Sequence, residues 1–233
     1  MAKIYIFGDS IAQGVLLNAA DQFQLSPNGC VDRLIRAGYP LINYGMSGYT
    51  IRQGYAAFQQ KRLQPGAGCV IEYGANDCKM DWDAVSDDPE HFHDGQTPMA
   101  EFQAALERFV RDARARGLRP ILATPLPLIG GRYYAWICRG RNAEHILRYF
   151  HGDPEGISRW QGRYASAVRE AARQYHCPLL DLRDWMIHEM DYPDWLCQDG
   201  VHPNEKGHGL MAERISARYP LARLDAMISS LQT

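Results

Sequence analysis

Residues 3–10 read Lys3-Ile4-Tyr5-Ile6-Phe7-Gly8-Asp9-Ser10. The apolar run from Ile4 to Phe7 is too short for a helix and continuous rather than alternating. Such a run suits a strand covered on both faces, as in a parallel sheet. Gly8, Asp9 and Ser10 follow at once, so the strand empties straight into a polar turn. Four similar runs lie further on, at residues 41–43, 69–73, 120–124 and 178–182. Helical periodicity fills the gaps, over 30–37, 51–63 and 157–174, with a last helix from about residue 204 carrying Leu210, Met211 and Ile215. The clearest helix begins at Thr97-Pro98, where Thr suits the cap and Pro the first helical position, and stops at Gly117. Strands alternating with helices predict right-handed crossovers and an α/β fold. The expected architecture is a three-layer α/β/α sandwich with a parallel, flavodoxin-like sheet of about five strands.

Composition agrees with that picture. The chain has 233 residues, 46% hydrophobic and 22% charged, with a net charge of −2. That is the make-up of a globular protein, read here as a single domain over residues 1–233. Without a basic excess, no nucleic-acid partner is expected. No apolar run approaches the ~18–20 residues that span a bilayer, so no transmembrane segment is expected. The first residues carry one lysine and a very short apolar run, which is no signal peptide. Six cysteines, at 30, 69, 78, 138, 177 and 197, include no Cys-x-x-Cys pair. Free thiols in a reducing, cytoplasmic compartment are the expectation, with neither a disulfide framework nor a metal site.

Three short motifs fall at the carboxyl edge of the sheet, where open α/β sheets bind ligands. Gly8-Asp9-Ser10 places a serine hydroxyl at a strand exit, beside backbone N–H groups free to meet an oxyanion. Gly74-Ala75-Asn76-Asp77 places a side-chain amide over the same edge. Asp199-Gly200-Val201-His202-Pro203-Asn204 places an imidazole three residues after a carboxylate that can hold its second nitrogen. Asn204 reads as the cap of the last helix. Taken alone, each motif reads first as a turn, a cap or a surface histidine. Between the first two lies Asn43-Tyr44-Gly45-Met46-Ser47-Gly48, where a glycine lets the backbone approach a ligand.

Taken in order, these blocks resemble the SGNH (GDSL-type) hydrolase superfamily of esterases, lipases, thioesterases and deacetylases. The match is Gly8-Asp9-Ser10, then Gly48, then Gly74 to Asp77, then Asp199 to His202, so it reaches both ends of the chain. Ile11 stands where the family often has leucine, and Gly45 competes with Gly48 for the second block. The resemblance implies Ser10 as nucleophile, His202 as base and Asp199 as its orienting partner. It implies an oxyanion hole from the Ser10 and Gly48 amides and the Asn76 side chain. It implies hydrolysis of a small-molecule carboxylic ester, such as a short acyl ester or acylated sugar, with no cofactor and no metal. Acyl transfer, thioester cleavage and carbohydrate deacetylation fit the same site. A non-catalytic flavodoxin-like binding module is the alternative of another class. No Gly-x-Ser-x-Gly elbow exists, which excludes the α/β-hydrolase signature.

Other features are weaker. His91 and His93 read as surface loop residues. His208 reads as structural, and Glu72, a carboxyl inside an apolar strand, needs buried partners. The aromatic and arginine-rich stretch over 126–155 reads either as a wall over the substrate or as a solvated amphipathic helix packing Trp136, Ile137, Ile146 and Leu147.

Overall fold

The computed structural model describes residues 2–224. In chain order the elements begin with β1 (Ile4–Gly8), α1 (Ser10–Gln13), β2 (Val15–Leu17), β3 (Phe23–Leu25), α2 (Cys30–Arg36), β4 (Leu41–Asn43), α3 (Ile51–Gln60) and β5 (Gly68–Glu72). Then come α4 (Trp82–Asp87), α5 (Met99–Ala115), β6 (Arg119–Ala123), α6 (Gly130–Ile137), α7 (Ala143–Tyr149) and α8 (Glu155–Gln174). The chain closes with β7 (Leu179–Leu180), α9 (Leu182–Ile187), a 3-10 turn at Tyr192–Trp195 and α10 (Glu205–Arg218).

Five strands form one sheet in the order β4-β1-β5-β6-β7, and every pairing is parallel. This is the flavodoxin-like order, with its switch point between β1 and β5. The apolar run of β1 explains itself here. Tyr5 and Phe7 point to one face and pack with Phe58, Phe102 and Phe109 from α3 and α5. Ile4 and Ile6 point to the other and pack with Val31, Leu34 and Met211 from α2 and α10. A strand buried on both faces has no polar side to show, so its sequence cannot alternate. A third cluster joins α4, α6, α7 and the start of α8 through Trp82, Ile137, Ile146 and Ile157, above the carboxyl edge of the sheet.

Several elements differ from the sequence reading. Thr97 does not cap α5, which starts at Met99 with Pro98 in the cap position. Thr97 is buried, and its backbone is committed elsewhere: its N–H donates to the Asp77 carbonyl and its carbonyl accepts from the Tyr164 hydroxyl. The run at 178–182 pairs only through Leu179 and Leu180. Asp181 ends it, because its carboxylate caps α9 at the Asp184 N–H and takes the Arg169 guanidinium. The small antiparallel hairpin of β2 and β3 was not anticipated. Asn204 does cap the last helix, its side chain accepting from the Gly207 N–H at 2.9 Å.

All six cysteines are unpaired thiols. Among the described residues no helix is long and apolar enough to cross a membrane, and no group of three or more His, Cys, Asp or Glu is arranged to hold a metal ion. His91 is exposed and pairs with Asp88, while the His93 ring bonds the Asp88 carbonyl. His208 is fully buried: its Nδ1 accepts from the Cys30 N–H and its Nε2 faces the Val15 carbonyl. Burial holds its pKa below the usual histidine value, so the ring is a neutral bracket between α10 and the first loop.

Candidate active site

Ser10 sits one residue beyond the Asp9 cap of α1. The Asp9 carboxylate accepts the Ile11 N–H at 2.8 Å, which turns the chain sharply off β1. Gly8 makes that turn possible, since a Cβ there would lie 2.6 Å from Glu72 Oε2 and 2.7 Å from the Ala12 side chain. As the first residue of a helix, Ser10 has an N–H with no intrahelical acceptor. Its Oγ lies 2.9 Å from His202 Nε2.

His202 is held by a tight loop. The Cys197 N–H donates to the His202 carbonyl, the Gly200 N–H to the Cys197 carbonyl, and Leu196 bridges Pro203. Asp199 is buried within it, with 2% exposure. Its Oδ1 accepts the Val201 and His202 amides at 3.0 and 3.1 Å, and its Oδ2 faces His202 Nδ1 at 2.6 Å. A carboxylate acceptor on that side fixes the ring proton on Nδ1 and leaves Nε2 to accept from Ser10.

The two other motifs arrive at the same edge. Gly48 lines the cavity in front of Ser10 with φ of +78°, a left-handed conformation that a side chain resists. Among the described residues its N–H makes no hydrogen bond. Gly45 serves packing instead, because a Cβ there would reach within 2.7 Å of the Gln13 nitrogen. Asn76 also lines the cavity, and its Nδ2 is 3.1 Å from the Tyr49 carbonyl and 3.4 Å from Asp9 Oδ2. The cavity itself is about 730 Å³, within the range of small-molecule sites.

This geometry agrees with the comparisons to known proteins. The model of the GDSL-like Lipase/Acylhydrolase family matches residues 6–210. The chain belongs to that family. A solved lipase/acylhydrolase from Enterococcus faecalis superposes with a TM-score of 0.65 at 25% identity, over 94% of this chain and 97% of that one. An acetylxylan esterase from Geobacillus stearothermophilus, solved as a catalytic mutant, superposes with a TM-score of 0.64 at 20% identity, over 93% of each chain. In sequence the chain is 25% identical over 156 residues to the uncharacterized lipoprotein YqeF of Bacillus subtilis. That alignment spans 63% of this chain and 56% of the relative, so the chain matches little more than half of that protein's length.

In this chain the floor under Ser10 is made of acids. The Asp9 N–H donates to Glu72 Oε2 at 3.2 Å, and the Asp77 carboxylate accepts the Ile51 N–H at 3.0 and 3.2 Å. Burial pushes the Asp9 and Asp77 carboxyls up to about 6, and burial beside Asp9 pushes Glu72 well above the usual carboxylate range. The raised Glu72 pKa favours the neutral form, which lowers the cost of burying a carboxyl inside a strand.

The roof comes from segments that carry no motif. Phe23 of the hairpin lies with its ring centre 5.0 Å from the His202 ring and 6.0 Å from Trp136 on α6. Arg139 stacks on Trp136 at 3.9 Å and pairs with Asp21 at the hairpin tip, at 3.0 Å. The 126–155 stretch thus fills both readings made of it. Ile137 and Ile146 pack inward, while Tyr133, Trp136, Arg139 and Arg141 line the cavity. Phe23, Trp160 and Gln161 also line it and were not singled out from sequence. For Phe23 no signal existed, because a three-residue strand has no period to read.

Proposed function

We propose that the protein hydrolyses carboxylic esters with Ser10 as nucleophile, His202 as general base and Asp199 as its orienting partner. One observation carries the reading: a continuous hydrogen-bonded line runs from Ser10 Oγ at the cavity through the His202 ring to the buried Asp199 carboxylate. His202 Nε2 takes the Ser10 proton as Oγ attacks the ester carbonyl. Asp199 stabilises the imidazolium that forms. The Ser10 and Gly48 amides and the Asn76 Nδ2 meet the oxyanion, the long Asn76–Asp9 contact giving way to it. The imidazolium then protonates the leaving alcohol. Water, deprotonated by His202, attacks the acyl-serine, and the second tetrahedral intermediate collapses to free the acid and Ser10.

The walls support a substrate with a small acyl group on a polar, ring-bearing alcohol such as a sugar. Trp136 and Trp160 offer flat apolar faces, while Lys79, Asp81 and Gln96 offer polar groups beside them. The test is covalent labelling with a fluorophosphonate together with turnover of p-nitrophenyl acetate. Mass is expected at Ser10 alone, and Ser10→Ala is expected to lose both label and turnover. Label on another residue, or turnover surviving in Ser10→Ala, overturns the assignment.

A further inference from the structure

At the side of the cavity formed by α8, Gln161 is buried, with 2% exposure, and yet lines the open space. Its Oε1 accepts from Arg183 Nη1 at 2.6 Å. Arginine can only donate, so this contact fixes the amide with its oxygen turned to Arg183 and its NH₂ turned away. Among the described residues Nε2 has no hydrogen-bond partner, and it is not among the buried polar atoms sealed from solvent. The space it meets is the cavity that also holds Ser10 and His202.

Arg183 is itself unusual. Its Nη2 reaches the Ser158 carbonyl and hydroxyl at 3.3 and 3.5 Å, and among the described residues it pairs with no carboxylate. Its N–H, donated to Thr124 Oγ1 at 3.0 Å, pins the residue at the start of α9. A cation bonded to an amide oxygen withdraws electron density from that amide and strengthens its N–H groups as donors. Arg183 therefore both orients and polarises Gln161.

We propose that Gln161 is a substrate-binding donor that selects esters bearing an acceptor oxygen away from the scissile group, and that Arg183 is its positioning residue. The proposal rests on the esterase reading above and adds the selectivity of that site. A hydrocarbon substituent placed there leaves the Gln161 N–H groups unpaired and dry, whereas an ether or hydroxyl oxygen satisfies one of them. One such hydrogen bond is worth about a factor of ten in kcat/KM.

The experiment uses two isosteric pairs of esters. One pair varies the acyl arm, p-nitrophenyl hexanoate against its ether-containing isostere. The other varies the alcohol arm, hexyl acetate against its ether-containing isostere. In the wild type the oxygen-bearing member is expected to lead by about tenfold in kcat/KM in at least one pair, chiefly through KM. Gln161→Ala is expected to bring that ratio near one. Gln161→Glu keeps the bond to Arg183 and hence the fold, replaces the donor by an acceptor, and is expected to erase the ratio too. Arg183→Ala is expected to reduce it, with Arg183→Lys restoring part. A wild type with no preference in either pair overturns the inference, as does a ratio that persists in both Gln161 variants. A ratio untouched by Arg183→Ala removes the positioning role. Ser10→Ala run beside them separates the two levels: activity surviving in it sinks the esterase reading, whereas a dead Ser10→Ala with an unchanged Gln161 ratio sinks only this one.

Discussion

The floor and the roof of the site are built on opposite plans. The floor is a set of strand exits, β1 and β5, where Asp9, Glu72 and Asp77 lie buried and bond backbone amides that fix Ser10 and α3. The roof is an insertion into the sheet topology, the β2–β3 hairpin meeting α6 through Phe23 on Trp136 and Asp21 on Arg139. The floor is buried and over-determined, while Phe23 is 55% exposed and the Asp21–Arg139 ion pair is on the surface. Rigid strand ends suit chemistry that tolerates little displacement, and a lightly held cover suits discrimination between substrates.

If that division holds, effects should fall steeply from floor to roof. Asp199→Asn should fold yet lose about 10⁴-fold in kcat, because the amide no longer holds the His202 tautomer. Asn76→Ala should lose on the order of 10² to 10³-fold in kcat with little change in melting temperature. Near-normal turnover of p-nitrophenyl acetate by Asn76→Ala would move the oxyanion hole elsewhere. On the roof, Phe23→Ala removes an aromatic contact of about 0.5–1.5 kcal/mol, so kcat/KM should change by about two- to tenfold. A loss as large as that of Asn76→Ala would place Phe23 in the floor's class.

The smallest effect is one of pH. Asp77 titrates near 6 in the fold against 3.8 for a free aspartate. Its contribution is fully present below about pH 4 and is lost as pH rises through about 6, because the folded state then binds the proton the unfolded state has released. Asp77→Asn keeps an acceptor for Ile51 and should shrink the difference in melting temperature between pH 5 and pH 8. An undiminished difference would assign the pH dependence to Asp9 or Glu72.

The same division governs what could be read from the amino acids. β1 announced itself because both of its faces are buried, whereas Ser10, Asn76, Asp199 and His202 were ambiguous one by one and stood out only as an ordered set resembling the SGNH hydrolases. Thr97 misled because its strong capping preference yielded to a buried loop that had already claimed its N–H and carbonyl. Phe23 meets Trp136 and Gln161 meets Arg183, and both partnerships come from tertiary packing rather than from neighbours in the chain. Glu72 stood out as an anomaly in its strand, and only the neighbouring Asp9 gave it a reason.

Ser10 and His202 stand 192 residues apart along the chain. During synthesis Ser10 emerges 192 residues before the histidine proposed as its base. A nascent chain therefore has a serine hydroxyl without that proton acceptor until residue 202 has been added. Closing so long a loop costs entropy that only the finished sheet offsets. On the proposed mechanism, activity is switched on by completion of this fold, and a chain cut short before His202 is expected to be inert rather than indiscriminate.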